Sequence, residues 1–545
     1  MQKNNIDTDI EAYKKAIESD PLNINACFIL GNIYNENNKF SQAIEYYNKA
    51  IEINPAYAII YNNLGIAYAQ NNEHNKAVKS FEKAIELGHN EINTYNYAGI
   101  SYNRLELYEK ALEYFNKALN IDPNFASTYI YMGNCYYDEE KFDKAIECFQ
   151  IALKLSPDSF EAYNNLGNSY KEAEEYDLAI NCYNRVLQIN PDFFEAFINL
   201  GASYYCKRDF DKAEAYYKKA IEYKPDYGEA YNNLSTVYRM KADFEKGWEL
   251  FEWRFKLRAD NKNRLILPDI EQPAWNGSSI KDKTIYVYWE QGFGDTLMFV
   301  RYLPVLAAMG ARVLFKPQKE LEKFLRQNDL SAEIISPFAV DSNVKFDEHI
   351  SLMSIPGILK TDLTNIPYSE GYLKANPEKT KVYFDKYFNN DKFKIGVFWQ
   401  GSPRGFKRRA TKLENFYKFA KIKNVQLYSL QKGYGIEQLK EIPEEINIID
   451  LGSEFSDYSD TAAAIANLDL VITIDTSVAH LSAAMQKETW VMLNADNEWR
   501  WLVEGETTNW YKNIRLFRQK CKNNWEETFE NVFEELNNKI IIKNI

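Results

Sequence analysis

Six glycines stand at intervals of 34 residues in the first half of the chain, at positions 31, 65, 99, 133, 167 and 201. An alanine follows each glycine by twelve residues and an aromatic residue follows by sixteen, as in Gly31, Ala43 and Tyr47. Proline closes most of these units, Pro55 being the first. Repetition at a period of this length is typical of stacked helix hairpins. We predict that glycine and alanine let paired helices approach closely, that the aromatic ring fills the gap, and that proline ends the second helix.

This pattern resembles the tetratricopeptide repeat family and covers about residues 1–257. It comprises six full repeats over 24–227, a leading half repeat ending at Pro21, and a degenerate seventh repeat in which Ser235 and Gly247 replace the glycine and the alanine. The resemblance implies an all-α superhelix whose concave face is lined by the first helix of each repeat. The seventh repeat ends in the aromatic and basic segment GWELFEWRFKLR, which we expect to dock on the following domain.

Asparagine recurs two residues before the repeat glycine, or before Ser235, in several repeats. A column of primary amides can hydrogen-bond the backbone of an extended peptide without reading its sequence. The arrangement resembles the asparagine ladder of O-GlcNAc transferase, although Ile29, Tyr97 and Tyr131 interrupt it. The alternative is that a solvated helix face simply tolerates asparagine. The candidate residues for binding an acceptor peptide are Asn63, Asn165, Asn199 and Asn233.

The amino-acid composition and charge argue against several classes of protein. The 545 residues are 46% hydrophobic and 26% charged, which indicates a soluble protein of several domains. No apolar run is long enough to span a membrane, and the first residues do not form a secretory signal, so we expect a cytoplasmic protein. Six scattered cysteines and four histidines predict neither a disulfide framework nor a metal site. Most of the net charge of −13 lies in the first 260 residues, which disfavours nucleic acid as a partner.

From residue 258 onward the sequence changes to short β-branched and aromatic runs separated by helical segments. We predict a linker over 258–283, a first Rossmann-like α/β unit with four strands over 284–390, and a second such unit with five strands and terminal helices over 391–545. Two open α/β units in tandem place a cleft between the carboxyl ends of their strands.

The segment DTSVAHLSAA stands at a predicted strand-to-helix junction of the second unit. It is similar to the D-[TS]-G-x-x-H-x-x-A element of GT-B glycosyltransferases, most closely the ADP-heptose-dependent heptosyltransferase family and the tetratricopeptide-fused enzymes related to it. The resemblance spans about residues 248–530. A helix N-terminus presents N–H groups and the positive end of its dipole to a diphosphate. The donor-binding residues expected here are Asp475, Thr476, Ser477, Val478, Ala479 and His480.

The first unit carries the run EQGFGDTLMFVRYLP directly after its first predicted strand. This run resembles the glycine-containing loop of the same family, with Gly292, Gly294, Asp295 and Thr296 as its donor-side and catalytic residues. The resemblance implies that Asp295 is the general base that takes the proton of the acceptor hydroxyl in an inverting transfer. Aspartate at this position is equally suited to capping a helix N-terminus. Both interpretations remain open.

A basic segment follows the first strand of the second unit, in FWQGSPRGFKRRATKLENF. Cations at the mouth of a cleft suit a diphosphate leaving group without a metal, although a solvated basic turn is the alternative. The expected donor-side residues are Gln400, Lys407, Arg408 and Arg409, with Gln431 at the end of the next strand. Trp499 and Trp501 are expected either to floor the donor pocket or to pack.

Neither a P-loop nor a dinucleotide-binding glycine fingerprint occurs, so kinase and dehydrogenase functions are disfavoured. The sequence predicts an inverting, metal-independent glycosyltransferase that moves a sugar from a nucleotide-sugar, a substrate rather than a cofactor, to a protein held by the repeats. By resemblance, flagellin or another surface protein is the expected acceptor class. The alternative is a non-catalytic repeat scaffold with a degenerate glycosyltransferase-like binding module. The donor sugar and its nucleotide base stay open.

Overall fold

The computed structural model describes residues 2–257, 270–401, 409–522 and 524–542. It contains two compact units, Met1–Asp209 and Phe210–Ile545. Helices alone make up the described part of the first unit, and they continue at the start of the second unit, which then forms two parallel sheets. Within the described ranges, no helix is long and apolar enough to cross a lipid bilayer.

The first unit contains twelve described helices, and each helix of a repeat packs on its neighbours in sequence. Their bounds are α1 Gln2–Ser19, α2 Ile24–Glu36, α3 Phe40–Ile53, α4 Ala58–Gln70, α5 His74–Glu86, α6 Ile92–Arg104, α7 Tyr108–Ile121, α8 Ala126–Asp138, α9 Phe142–Leu155, α10 Phe160–Glu172, α11 Tyr176–Ile189 and α12 Phe194–Cys206. The second unit begins with α13 Phe210–Tyr223, α14 Gly228–Met240 and α15 Phe244–Phe251.

The predicted role of the repeat glycines is confirmed in the first unit. A Cβ atom added to Gly31 would lie 2.6 Å from Cε1 of Tyr47, and one added to Gly99 would lie 2.5 Å from Cε1 of Phe115. Both rings are almost completely buried. The same glycine-to-ring contact recurs at Gly65, Gly133 and Gly167. The paired helices therefore approach as closely as they do because this position has no side chain.

All ten described strands lie in the second unit and all pair in parallel. The first sheet has the order β3-β2-β1-β4 and the second has the order β10-β9-β8-β5-β6-β7. Their bounds are β1 Thr284–Tyr288, β2 Arg312–Lys316, β3 Glu333–Ile334, β4 Glu348–Ser351, β5 Phe393–Phe398, β6 Val425–Ser429, β7 Ile448–Asp450, β8 Leu470–Ile474, β9 Thr489–Leu493 and β10 Ile514–Arg518. The second order, counted from its first strand, is the doubly wound order 3-2-1-4-5-6.

Helices and single turns connect these strands. The α-helices are Phe293–Phe299, Leu303–Ala308, Lys319–Arg326, Ile355–Ile358, Pro377–Tyr383, Tyr417–Ala420, Tyr458–Ala466, Ser477–Ala484 and Glu526–Ile542. The shorter 3₁₀ segments include Glu252–Lys256, Val300–Tyr302, Asp341–Asn343, Leu352–Ser354, Leu413–Phe416, Ile436–Glu441, Gly452–Glu454 and Trp499–Trp501, and Phe384–Phe388 forms a π-turn.

The predicted number of strands was wrong in the second sheet, which has a sixth strand, β10, between the fifth strand and the terminal helix. The third strand of the first sheet is present as predicted and is short, since only Glu333 and Ile334 pair with β2. Strand β10 places Leu516 and Ile514 in the core, so its apolar spacing was a usable signal.

The end of the seventh repeat packs on the α/β region that carries the first sheet, as predicted. The Trp248 indole Nε1 donates to the Thr361 carbonyl at 2.8 Å. The guanidinium of Arg254, which is 2% exposed, donates to Glu290 through Nε at 2.7 Å and through Nη2 at 2.9 Å. The described second half of the predicted linker 258–283 is packed as well, since the Trp275 amide donates to the carbonyl of His349 at 2.8 Å. The compact unit therefore begins at Phe210, inside the repeat region.

Candidate functional site

A cleft of about 1120 Å³ lies where the strand order reverses in each sheet. The reversal falls between β1 and β4 in the first sheet and between β5 and β8 in the second. In doubly wound sheets, ligands bind outside the carboxyl ends of the strands at this point. Gly292 to Asp295 follow β1, Asp475 to Val478 follow β8, and both groups line the cleft. The two sequence motifs therefore meet at one site.

Asp295 lies in the wall formed by the first sheet. The helix Phe293–Phe299 has Gly292 as its N-cap, so Asp295 is its third residue. Asp295 Oδ2 accepts the backbone N–H of Gly292 at 3.1 Å. The carboxylate thus supports the start of the helix without being the N-cap, and it faces the cleft at the same time.

The opposite wall is the start of the helix Ser477–Ala484, with Thr476 as its N-cap in an extended conformation. Thr476, Ser477 and Val478 line the cleft. The Tyr458 hydroxyl donates to Ser477 Oγ at 2.8 Å. Because the first amide groups of a helix carry partial positive charge, this end of the cleft favours an anionic ligand.

The two walls come close at Gly294. A Cβ atom added there would lie 3.0 Å from Cδ2 of His480. A larger residue would push apart the two helix starts that carry Asp295 and Ser477. Gly294 therefore allows the helix that follows β1 and the helix that follows β8 to pack closely.

A chain of five charged groups crosses the cleft. Asp295 pairs with Arg500, Arg500 pairs with Glu498, and Glu498 pairs with Arg409. Arg409 also donates to Asp475 at 3.0 Å. Burial lowers the pKa of Arg500 to about 10, so its guanidinium remains charged at neutral pH. Two guanidiniums thus hold three carboxylates, one from each predicted motif and one from the loop after β9.

His480 lines the cleft as predicted. Burial, together with the guanidiniums of Arg301 and Arg409, lowers the pKa of His480 to about 3. Its Nδ1 lies 3.0 Å from the Tyr511 hydroxyl, and its ring stacks on Trp501 with centroids 5.3 Å apart. His480 is therefore a neutral hydrogen-bonding group at neutral pH.

Three predicted donor-binding residues do not line the cleft. Thr296 is 2% exposed and donates through its hydroxyl to Gln318 at 2.9 Å. Ala479 is fully buried. The Gln431 amide is 1% exposed; its Oε1 accepts the backbone N–H groups of Trp399 and Gln400, and its Nε2 donates to Gln400 and Tyr434 carbonyls. The side chains of Thr296 and Gln431 thus form their hydrogen bonds within the protein.

Gln400 and Arg409 line the cleft from the basic segment. Lys407 and Arg408, and with them Arg404, lie outside the described residues. Trp499 and Trp501 do not line the cleft, so their predicted alternative role of packing is the one observed.

Sequence reasoning missed several charged residues that line the cleft, among them Glu498 and Arg500. Both lie in the segment NEWRW, in which only the two tryptophans were predicted to contribute to the donor pocket or to packing. Their alternation with Trp499 and Trp501 was a usable signal, because it places aromatic and charged side chains on different sides of a tight turn. Tyr458 was missed as well, since a tyrosine that opens a helix has no distinctive pattern.

The asparagines of the first unit bind one another. Asn63 Nδ2 donates to Asn32 Oδ1 at 3.0 Å, one repeat earlier. Asn165 makes the equivalent contact with Asn134 at 3.0 Å, and Asn199 donates to Asn164 at 3.0 Å. Asn63, Asn165 and Asn199 thus each donate one side-chain amide hydrogen to an asparagine of the preceding repeat. Asn233 stands at the same repeat position on α14, in the second unit.

No cluster of three or more histidine, cysteine, aspartate or glutamate side chains is arranged to hold a metal ion in the ranges the structure describes. The prediction of a metal-independent reaction stays a prediction.

Comparison with protein-family models identifies the helical region. Models described as TPR repeat or tetratricopeptide repeat match residues 31–72, 57–124, 133–173, 160–193 and 194–227. The N-terminal region consists of tetratricopeptide repeats. Repeats of this family form extended surfaces that bind proteins or peptides.

Protein FlbA of Caulobacter vibrioides is a distant relative, 23% identical over 316 residues. The match covers 52% of this chain and 51% of FlbA, so the chain spans about half the length of that relative.

Several solved structures are similar to the repeat region, among them YrrB and MamA. YrrB, described as a TPR protein with an unusual peptide-binding site, is 26% identical over 34% of this chain and 96% of its own, with a TM-score of 0.29. MamA is 27% identical over 30% of this chain and 95% of its own, with a TM-score of 0.28.

Proposed function

We propose that this chain is a glycosyltransferase of GT-B architecture that moves a sugar from a nucleotide-sugar to a protein held by its repeats. The observation that carries the proposal is the meeting of the G-x-G-D-T and D-T-S-V-A-H segments in one cleft, at the strand-order reversals of two parallel sheets. Such a cleft is the usual ligand site of doubly wound sheets. The resemblance of both segments to the heptosyltransferase family supplies the reaction class.

Asp295 is the proposed general base. Each carboxylate oxygen can accept more than one hydrogen bond, so Asp295 can hold Gly292 and Arg500 and still receive a proton. In an inverting transfer, the acceptor oxygen would form its bond to the anomeric carbon as the bond to the nucleoside diphosphate breaks. The hydroxyl proton would pass to Asp295.

The leaving diphosphate is proposed to lie against the start of the helix Ser477–Ala484 and beside Arg409. Helix N–H groups and a guanidinium would stabilise the charge that develops on the leaving oxygen. This arrangement requires no metal. The nucleotide-sugar is a substrate, and the proposal includes no cofactor.

The acceptor is proposed to be a protein segment that binds the first helices of the repeats. In the first unit these helices are rich in asparagine and tyrosine, whereas charged residues concentrate on the second helices. A charge-poor face with amide groups suits the backbone of an extended segment. Flagellin or another surface protein remains the acceptor class implied by resemblance.

A second candidate function, a non-catalytic scaffold, is favoured by one observation. Arg409 and Arg500 are already engaged by carboxylates, so these two cations do not make the described cleft strongly positive. In that case the repeats would bind a partner while the cleft transferred nothing.

A thermal-shift panel tests the proposal. The full chain is heated with nucleotide-linked heptose, hexosamine and nonulosonic acid. A ligand at 100 times its dissociation constant should add about 2.7 kcal/mol to the free energy of unfolding. Arg409→Gln should abolish that gain. Arg515→Gln should retain it, because Arg515 lies on β10 and pairs with Glu535 of the terminal helix. A panel without any shift favours the scaffold.

A further inference from the structure

The seventh repeat departs from the repeat signature at two positions that face each other. The Ser235 hydroxyl donates to the carbonyl of Gly247 at 2.7 Å. A Cβ atom added to Gly247 would lie 2.6 Å from Cγ of Arg239. Alanine, the signature residue there, would therefore collide with the Arg239 side chain. The substitution by glycine makes room for an arginine.

Arg239 is peculiar to this repeat. It lies four residues after the signature position, where the six full repeats have Asn35, Ala69, Asn103, Tyr137, Lys171 and Tyr205. The side chain is 4% exposed. Its Nη2 donates to Thr236 Oγ1 at 3.2 Å, which helps to orient the guanidinium.

The guanidinium of Arg239 covers an aromatic cluster. Its Cζ lies 4.3 Å from the ring centroid of Phe251, 5.7 Å from that of Trp248 and 5.0 Å from that of Trp499. Trp499 also meets Trp248 edge to face, with centroids 5.3 Å apart. Cation–π contacts are strongest at desolvated sites such as this one. Trp499 is thus enclosed by residues of α14 and α15.

Trp499 stands between two charged residues of the cleft that the sequence analysis missed. Glu498 and Arg500 flank it in the chain, and their side chains enter the cleft to pair with Arg409 and Asp295. The indole ring faces α14 and α15, whereas its two neighbours face the cleft. Displacement of the indole would displace both charged groups.

We propose that Arg239 is a positioning residue that acts through Trp499 to set Glu498 and Arg500 in the cleft. The departures at Ser235 and Gly247 adapt the last repeat to this task. The last repeat then stabilises the cleft from outside and does not only cap the repeats. The expected effect on anion binding in the cleft rests on the proposed function, whereas the effect on the geometry of residues 498–502 does not.

Hydrogen exchange tests the geometry directly on the full chain. The amides of Trp501 and Leu502 donate to Glu498 and Trp499 carbonyls, both at 3.1 Å. Arg239→Met should accelerate exchange in the peptide covering 498–502 by roughly tenfold, since local opening becomes easier. Lys246→Met, at an exposed lysine of α15, is the matched control and should leave that peptide unchanged. Unchanged exchange in Arg239→Met would overturn the proposal.

A double-mutant cycle tests the consequence in the cleft. Affinity for inorganic pyrophosphate is measured by calorimetry in Arg239→Met, Arg500→Gln and the double variant. We expect a loss of at least about fivefold in each single variant and no further loss in the double, because coupled residues are not additive. Arg239→Lys, which keeps a cation over the ring, should restore part of the affinity. Additive losses would indicate a purely structural role and contradict the proposal.

The two readouts separate the possible failures. A wild-type chain that binds no pyrophosphate speaks against the proposed anion site, while the exchange experiment still decides on Arg239. If Arg239→Met does not fold, Trp499→Phe replaces it, because phenylalanine keeps an aromatic face for Arg239 but a smaller one. That variant should show the same local acceleration in weaker form, and its absence would count against the proposal.

Discussion

Arg500 pairs with Asp295 across the cleft and thereby connects the loop after β9 with the helix that follows β1. The two side chains are 9% and 15% exposed. Removal of one member of such a pair leaves a poorly solvated charge, which is costly unless another partner is present. Arg500 also pairs with Glu498. Substitution of Asp295 therefore leaves the Arg500 guanidinium with one carboxylate partner.

Asp295→Asn should reduce sugar transfer by roughly 10²- to 10⁴-fold, because the amide cannot accept the proton of the acceptor hydroxyl. The amide oxygen can still accept the Gly292 N–H, so the start of the helix should persist. We expect the free energy of unfolding to fall by about 1–3 kcal/mol through the lost ion pair. Initial rates at saturating donor and thermal melts provide the two measurements.

Glu498→Gln is the matched control, since it removes a carboxylate from the same guanidinium without removing the proposed base. Donor affinity should be nearly unchanged in Asp295→Asn, because the diphosphate is proposed to bind the opposite wall. Wild-type turnover in Asp295→Asn would restrict this aspartate to its helix-capping and ion-pairing roles.

The lowered pKa of His480 should make the stability of the chain depend on pH. Its pKa is about 3 in the folded chain against an ordinary value of 6.5, so between these values the unfolded chain binds the additional proton. Stability should therefore decrease as pH falls below 6.5, by up to about 1.4 kcal/mol per pH unit from this group. His480→Gln should flatten this part of the profile, as measured by denaturant unfolding from pH 7 to pH 4. An unaltered slope would mean that His480 is not the buried neutral group described here.

Gly99→Ala should destabilise the repeats by about 1–3 kcal/mol, because the new methyl group meets Phe115. Phe115→Leu in the same chain should recover part of the loss by making room for it. Helical circular dichroism during thermal unfolding reports both variants. Losses that simply add in the double variant would contradict the proposed glycine-to-ring contact.

Truncation at residue 210 should yield a folded protein, whereas truncation at residue 260 should aggregate. The shorter chain lacks Trp248, Phe251 and Arg254, whose side chains are at most 4% exposed in the second unit. Their loss would uncover the apolar surface that they contact. Size-exclusion chromatography and thermal melts of 210–545 and 260–545 distinguish the outcomes. A stable monomer of 260–545 would show that the seventh repeat is dispensable for this unit.

Periodicity predicted the repeats because each position of the pattern has one physical role, such as the missing side chain at Gly31. The turns between paired helices carried no such signal. Positions 38, 72, 106, 140, 174 and 208, spaced by 34 residues, adopt left-handed backbone conformations, with φ of 56° at Asn38, 61° at Glu106 and 61° at Arg208. Glycine would mark such positions, but three unrelated residue types hide them.

The residues of the cleft were predicted only where they belong to a known motif. Asp475 and Asp295 lie 180 positions apart, yet each follows a strand at a reversal of strand order, so topology brings them together. Glu498 and Arg500 follow no such rule. Their place in the cleft depends on Trp499, which packs on the opposite side of the same turn. Gln431 shows the converse, since its position at a strand end suggested a ligand contact while its amide serves only the backbone.

Transfer of a sugar to a protein tests the proposed activity directly. The full chain is incubated with labelled nucleotide-sugars, excess EDTA and a lysate of the cells that make it, and acceptor proteins are identified by mass spectrometry. We expect covalent sugar on a protein that also binds residues 1–209, retained in EDTA and lost in Asp295→Asn. Binding of a partner by the repeats without transfer of any sugar would contradict the enzyme and favour the scaffold.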